Sequence, residues 1–206
     1  MLSTLNLESV FSEAIAGHLG VVHQLERQRQ RMEEIADRMT RALLDGNKIM
    51  WCGNGGSATD AQHLAGELVG RFRRDRPGFA SLALTDNAAA LIGIANDYGF
   101  QEVFARQVEA LCRPGDVFVG ISTSGNSRNV TVAALRARVM GAFIVAITGE
   151  HGGKLGSAAD VWLRIPSRET ARIQEAYMLC GHMLCDWVEL AICSEEARWR
   201  REAGNE

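Results

Sequence analysis

Three absences narrow the class of protein that this chain of 206 residues can be. Its net charge of −3 lacks the positive excess that binding a nucleic-acid backbone requires, so nucleic acid is not an expected partner. No apolar run approaches the roughly 20 residues of a membrane span, and the first residues show no basic segment followed by an apolar block. We therefore expect a soluble, cytoplasmic protein with no membrane partner.

The cysteines lack the spacing of a disulfide framework or of a CxxC metal site. They are Cys52, Cys112, Cys180, Cys185 and Cys193. Each lies in an apolar segment, where a free cysteine behaves as a small hydrophobic residue. This usage favours a reducing compartment.

Two nucleotide-binding patterns are incomplete. The turn at 53–58 satisfies the loose pattern G-x-G-x-x-G/A of dinucleotide-binding folds, which also needs an acidic residue about 20 positions later at a strand end. Asp75 has that distance but lies in the charged stretch RFRRDRP, and Asp86 is too far along. The Gly-Lys-Ser/Thr of a Walker loop is absent. A small phosphorylated ligand therefore fits this turn better than a nucleotide does.

The hydrophobic pattern alternates between strand and helix after residue 46. We predict buried strands at 48–52, 81–84, 117–122, 143–148 and 161–165. We predict helices between and after them at 58–72, 88–95, 101–111, 127–139 and 170–192. This alternation predicts an α/β fold with a parallel sheet covered on both faces.

The first 46 residues show apolar positions near a 3.6-residue period and are predicted to be helical. We interpret the chain as one domain, with N-terminal helices at 1–46, an α/β core at 47–194 and a polar C-terminal tail at 195–206. The apolar stripe of the N-terminal helices must pack against the chain's own sheet or against a neighbouring subunit. The pattern leaves these two alternatives open.

A glycine-rich turn, Gly53-Asn54-Gly55-Gly56-Ser57, joins the first strand to a helix that carries His63 and Glu67. Free N–H groups and the helix dipole at such a turn attract an anion. His63 and Glu67 share a helical face because they are four residues apart, and Arg71 is expected to follow on the same face. A titratable or metal-binding pair beside an anion site predicts chemistry on a phosphorylated substrate.

A second turn follows the third predicted strand and is rich in hydroxyl groups. Its sequence is Ser122-Thr123-Ser124-Gly125-Asn126-Ser127. Four hydroxyls and a helix N-terminus can surround a phosphate, whereas helix capping by Ser124 or Ser127 would need only one. We predict that this turn holds the phosphate and that the first turn holds the rest of the substrate.

Other polar residues are candidates with alternatives. Gln174 and His182 are separated by about 12 Å in a straight helix, so they share a metal only if the helix start is irregular or two subunits contribute. His182 alone is also consistent with a buried, hydrogen-bonded histidine. Asn96 and Asp97 are predicted between two helices, where Asp97 is a cap or a substrate contact. The basic segment 71–76 is predicted to be a solvated loop or helix end.

Several of these motifs together resemble the sugar isomerase (SIS) domain family over almost the full chain. They are CGNGGSATDAQHLAGEL, GIANDYGF, GISTSGNS, TGEHGGKL and RIQEAYMLCGHMLCDWVE. The resemblance implies a three-layer, flavodoxin-like fold with a five-stranded parallel sheet, and a homotetramer with active sites at subunit interfaces. It is strongest to the members that convert sedoheptulose 7-phosphate to D-glycero-D-manno-heptose 7-phosphate, the first step of nucleotide-activated heptose biosynthesis for lipopolysaccharide.

The resemblance also implies roles for individual residues. One zinc ion per subunit would be bound by His63, Glu67, Gln174 and His182. The expected substrate contacts are Asn54, Gly55, Gly56, Ser57, Glu67, Arg71, Asn96, Asp97, Ser122, Thr123, Ser124, Ser127 and Gln174. Aldose–ketose isomerisation needs groups that move a proton between C1 and C2, and we assign this to Glu67 and His182. Because a zinc-bound carboxylate is a weaker base, a structural or inhibitory metal is an alternative.

Two other functions use the same fold. One is a tetrameric SIS-fold module that binds the replication initiator, and the other is the phosphosugar-sensing domain of a regulator. The first is expected to lack the full set of His63, Glu67 and His182, all of which this chain has. The second is disfavoured because no DNA-binding region is appended. We therefore favour the enzyme.

Overall fold

The computed structural model describes residues 6–202, with side chains to residue 195, and contains one sheet of five parallel strands. The strands are β1 (Ile49–Cys52), β2 (Ser81–Ala83), β3 (Val117–Ser122), β4 (Phe143–Thr148) and β5 (Val161–Arg164). Their spatial order is β2-β1-β3-β4-β5, and Met50 of β1 pairs with Leu82 on one side and Phe118 on the other. The predicted parallel sheet is confirmed, with every strand within one residue of its expected bounds.

Eight α-helices surround this sheet in the described part of the chain. They are α1 (Leu7–Gln24), α2 (Arg29–Leu44), α3 (Gly56–Val69), α4 (Ala88–Tyr98), α5 (Ala105–Leu111), α6 (Arg128–Val139), α7 (Gly153–Ser157) and α8 (Thr170–Glu202). Short 3₁₀ turns cover Leu25–Gln28 and Phe100–Glu102. Helix α7 was not predicted, because five residues containing two glycines carry no helical period.

Helices pack on both faces of the sheet, as its almost fully buried strands require. One face is covered by α2, α3 and α8, which share a core with Trp51 and Val119. The other is covered mainly by α5 and α6, which pack on Phe118 and Ile144. The chain therefore forms three layers, the flavodoxin-like SIS arrangement that was expected.

The two N-terminal helices differ in how they are packed. Ile35 and Met39 of α2 are buried in the core of the protein, so α2 packs on the chain's own sheet. Helix α1 contacts α8 and buries Val21, but it leaves Val10 and Phe11 largely exposed. Packing against a neighbouring subunit therefore stays an open alternative for the exposed side chains of α1, and not for α2.

Helix α8 is long and apolar enough, by length and composition, to cross a membrane over Thr170–Glu195. Half of its most apolar window is buried inside the protein, and α8 packs against helices α1, α2 and α3. This is the environment of the core helix of a soluble protein. The polar tail expected at 195–206 lies partly within α8, and residues 203–206 lie outside the described residues.

The sheet order places a topological switch point between β1 and β3. The helix that follows β1 packs on one face of the sheet, and the helix that follows β3 packs on the other. Such a reversal opens a crevice at the carboxyl ends of the two strands, where ligands bind in open α/β sheets. Both polar turns identified in the sequence lie at this edge.

Candidate active site

In the first turn, the N–H groups of Ser57 and Ala58 bond the carbonyls of Asn54 and Gly55, and the described residues give no partner to those of Gly55 and Gly56. Helix α3 begins here at Gly56, and no side chain caps its N-terminus. A Cβ at position 56 would lie 2.5 Å from Nε2 of Gln174, so only glycine allows the amide of Gln174 to lie against this turn. Open N–H groups beside an amide can bind both oxygens and hydroxyls of a ligand.

A pair of asparagines joins the two turns. Nδ2 of Asn54 donates to Oδ1 of Asn129 at 2.9 Å, and Nδ2 of Asn129 donates back to Oδ1 of Asn54 at 2.8 Å. Asn129 is buried in the first turn of α6. Asn129 was not identified from the sequence, because an amide at a helix start is equally typical of an exposed position. This reciprocal pair holds the two turns in one fixed relation.

The second turn keeps its hydroxyls close together. Oγ of Ser122 and Oγ of Ser127 are 2.9 Å apart, and Ser122 is buried. Ser127 is the N-cap of α6 but makes no capping hydrogen bond through its side chain, so capping does not account for it. Behind the turn, the carbonyl of Gly125 accepts a hydrogen bond from Leu155 of α7. The unpredicted helix therefore supports the hydroxyl-rich turn.

Three side chains from α3 and α8 converge at one point. Nε2 of His63 lies 3.0 Å from Nε2 of His182 and 3.2 Å from Oε1 of Glu67. The three nearest ligand atoms all lie within 4.8 Å of one another. His63 and Glu67 remain partly exposed, with 47% and 26% of their side chains accessible. The group is therefore accessible to a small molecule.

This set of donors fits a divalent metal of the zinc type. Two imidazoles and a carboxylate are a known catalytic set that leaves a fourth position open. Ligand atoms about 2.0–2.1 Å from a tetrahedral centre stand roughly 3.3 Å apart, close to the two separations given above. Without a cation, one of the two Nε2 atoms must carry a proton and donate a hydrogen bond to the other.

Gln174 does not join this group within a single chain. Helix α8 is continuous from Thr170 through His182, so the two residues are separated by about 12 Å along its axis. The alternative of an irregular helix start is therefore wrong, and only a second subunit could add a glutamine to the three converging side chains. In this chain, Gln174 lies at the first turn.

Tyr177 connects the first turn to α8 and was not identified from the sequence. It is fully buried, its hydroxyl donates to the carboxylate of Asp60, and its oxygen lies 2.9 Å from Oγ of Ser57. Burial, and next the hydrogen bond to Asp60, raises the pKa of Tyr177 above its ordinary value. The residue is a neutral hydrogen-bonding link, and it holds Ser57 in place.

Three predicted substrate contacts lie where the sequence patterns did not place them. Helix α3 ends at Val69, so Arg71 lies in the following loop and not on the face of Glu67. Asn96 and Asp97 belong to the last turn of α4, not to a connection between helices. Their side chains are exposed, and Asn96 donates to Asp97 at 2.8 Å. Their role as substrate contacts stays a prediction.

The basic segment 71–76 is not simply a solvated loop. The side chain of Arg76 is 2% exposed and donates from Nε to the buried Glu189 at 3.1 Å. Burial alone would raise the pKa of Glu189, but the backbone N–H groups of Arg73, Phe72 and Arg74, together with Arg76, hold it below its usual value. The prediction is wrong here because the partner of these residues is more than 110 positions away.

Known proteins resemble this chain in sequence. Residues 15–149 match the family described as the SIS domain. The chain is 46% identical over 187 residues to the phosphoheptose isomerase of Aquifex aeolicus, an alignment that covers 91% of this chain and 96% of that protein.

Solved structures show the same likeness in three dimensions. The phosphoheptose isomerase from Neisseria gonorrhoeae superposes with a TM-score of 0.85 at 41% identity, covering 89% of this chain and 99% of that one. The phosphoheptose isomerase from Francisella tularensis superposes with a TM-score of 0.87 at 32% identity, covering 90% and 100%. Both likenesses extend well beyond residues 15–149, the region that matches the SIS domain.

Proposed function

The chain belongs to the phosphoheptose isomerases of the SIS domain family, and from this premise we propose which of its residues carry out the reaction. It is a phosphosugar isomerase that converts sedoheptulose 7-phosphate to D-glycero-D-manno-heptose 7-phosphate. C1 loses a proton and the C2 carbonyl oxygen gains one, which gives an enediol. C2 then receives a proton while the C1 hydroxyl loses one, which leaves the aldehyde.

Glu67 and His182 are the proposed acid and base. The observation that supports them is their convergence with His63 at one partly exposed point between α3 and α8. A carboxylate accepts protons and an imidazole both accepts and donates them, so this pair can serve both carbons of the substrate. His63, in contact with both partners, orients them.

The phosphate is proposed to bind the second turn. Ser122, Thr123, Ser124 and Ser127 supply hydroxyl donors there, and the start of α6 supplies N–H groups. Anchoring the distant end of a seven-carbon sugar would fix C1 and C2 relative to the acid–base groups. The first turn, with Asn54 and Gln174, then binds the hydroxyls of the sugar chain.

We propose one zinc ion per subunit, bound by His63, Glu67 and His182. Such an ion would polarise the sugar's carbonyl and hydroxyl oxygens. A carboxylate bound to zinc is a weaker base, so the two proposed roles of Glu67 compete. If Glu67 is the base, activity persists or rises after chelation; if the metal is needed, activity is lost.

The active enzyme is proposed to be a cytoplasmic homotetramer that acts in heptose biosynthesis for lipopolysaccharide. Large apolar side chains on α1 and α8 support an oligomer because they are exposed on a single chain: Val10, Phe11, Ile15, Leu19, Met183, Trp187 and Leu190. A neighbouring subunit at this surface could also add Arg71, Asn96 or Asp97 to an active site. The oligomeric state is measured by sedimentation.

The direct test is turnover of sedoheptulose 7-phosphate by the purified protein. Product is followed by the anomeric proton of the aldose in NMR spectra, with metal content measured on protein prepared without chelator. No turnover by protein prepared without chelator, and none by protein treated with chelator, would overturn the proposal. Tight binding to a replication initiator would then favour the alternative function, which finds no support among the relatives described above.

A further inference from the structure

The loop that follows α3 reaches the active site through one aromatic ring. We call residues 70–78 the α3–β2 loop. The ring of Phe72 stacks on the imidazole of His182, with centroids 5.5 Å apart and planes inclined by 28°. The ring of His63 lies 5.1 Å from the same imidazole at a steeper 49°. His182 is therefore in contact with a second imidazole and with a phenyl ring that neither donates nor accepts a proton.

The imidazole of His182 has few other restraints. A histidine at an active site is usually oriented by a hydrogen bond to its second nitrogen. For His182, the residues described here supply no such partner to Nδ1, and its only recorded hydrogen bond joins Nε2 to His63. Because the residue is only partly buried, packing against Phe72 limits rotation of the ring together with the contact to His63.

Phe72 is itself held by a carboxylate inside the protein. Glu189 lies seven residues after His182 on α8, within about 20° of the same helical face. Its side chain is fully buried, and its oxygens accept hydrogen bonds from the backbone N–H groups of Phe72 at 3.0 Å, Arg73 at 2.8 Å and Arg74 at 2.9 Å. The backbone of the α3–β2 loop is thus fixed to the helix that carries His182.

Arg76 extends this attachment to the other catalytic helix. Its guanidinium donates to Glu189 and also to the carbonyl oxygens of Glu67 at 3.1 Å and Leu68 at 2.8 Å, in the last turn of α3. The last carbonyls of a helix have no partner within the helix, and that of Leu68 also accepts from the N–H of Phe79 at 3.0 Å. One buried ion pair therefore joins α3, the loop and α8 beside the three converging side chains.

We propose that Phe72 is a positioning residue for His182, held in place by Glu189 and Arg76. This role rests on the proposed function of His182 in proton transfer. The phenyl ring keeps the imidazole in the plane that directs Nε2 toward His63. Removing the aromatic face should therefore impair the chemical step while the phosphate and sugar contacts remain.

The test compares two substitutions of one residue. Phe72→Leu keeps apolar bulk without an aromatic face, and we expect kcat to fall about tenfold with KM within about twofold, because misplacing a catalytic group slows turnover. Phe72→Tyr restores the ring and should restore kcat. Phe143→Leu, at the opposite edge of the sheet, is the matched control and should leave both constants unchanged.

A spectroscopic measurement tests the contact independently of turnover. The imidazole C–H signals of the five histidines can be resolved by NMR, and that of His182 is assigned by its loss in His182→Gln. Phe72→Leu should shift the His182 signals, because a ring current is removed, and should leave those of His151 in place. If wild-type protein has no isomerase activity, the proposed function fails while this measurement still decides the contact.

Glu189→Gln tests the anchor. A neutral amide offers one acceptor oxygen in place of two, so the loop should loosen and the His182 signals should move in the same direction as in Phe72→Leu. If Glu189→Gln does not fold, the comparison of Phe72→Leu with Phe72→Tyr tests the proposal by itself. Unchanged kcat together with unchanged His182 signals in Phe72→Leu would overturn the proposal.

Discussion

Two glutamates near His182 have opposite surroundings. Glu67 on α3 is 26% exposed and has His63 as its ion-pair partner within the described residues, so most of its lone pairs are free for a substrate or a metal. Glu189 on α8 is fully buried, and its oxygens accept from three backbone N–H groups and from Arg76. A saturated, buried charge holds structure together, whereas an accessible, unsaturated one is available for chemistry.

Replacing Glu67 is expected to have the largest effect on activity. Glu67→Gln keeps the shape of the side chain but cannot accept a proton, so kcat should fall by about 10²–10⁴-fold. The free energy of unfolding should change by less than about 0.5 kcal/mol, because the contact with His63 is partly exposed. Glu109→Gln, in a surface ion pair on α5, is the control for both measurements. A Glu67→Gln enzyme of normal kcat would contradict the assignment.

Replacing Glu189 should instead affect stability most. Glu189→Ala leaves Arg76 buried without its partner, so the free energy of unfolding should fall by about 3–5 kcal/mol in urea titrations. On the same helix, Glu175→Ala removes a partly exposed carboxylate that pairs with Arg172 and His18, and it should cost at most about 1 kcal/mol. Equal losses in the two variants would erase the contrast between buried and exposed carboxylates.

A substitution in the second turn should separate binding from chemistry. Ser127→Ala removes a hydroxyl that does not cap α6, so stability should be nearly unchanged, whereas KM should rise about tenfold through a lost bond to a charged group. Ser157→Ala removes an exposed hydroxyl elsewhere and serves as the control. Unaltered KM, and unaltered inhibition by inorganic phosphate, would move the phosphate site away from this turn.

The smallest expected effect is on the dependence of stability on pH. The pKa of Glu189 is lowered in the folded protein, and the hydrogen bond from Arg74 lowers that of Asp186. Groups with lowered pKa values stabilise the fold above their unfolded values of about 4.3 and 3.9 and lose that contribution as pH falls. Urea midpoints should therefore decline below about pH 4, and less steeply in Glu189→Gln. Parallel declines in both proteins would contradict this.

Much of the fold could be predicted because its determinants are local. Continuous apolar runs such as 117–122 indicate strands buried on both faces, and their period differs from that of the helices between them. The end of a helix is harder to predict from the sequence where the apolar and polar pattern continues past it. Helix α3 stops at Gly70, although Arg71 and Phe72 continue its apolar and polar pattern, because the backbone there turns to bond Glu189.

By itself, the sequence determined the strand–helix alternation, the two polar turns and the contact between His63 and Glu67, which follows from a spacing of four residues. Only the tertiary structure decided that His182 meets His63 across 119 positions, that Asn54 pairs with Asn129, and that Glu189 is the anchor of the α3–β2 loop. The physical reason is that such contacts depend on the order of strands in the sheet and on which face each helix covers. Neither is encoded in the local periodicity of any one segment.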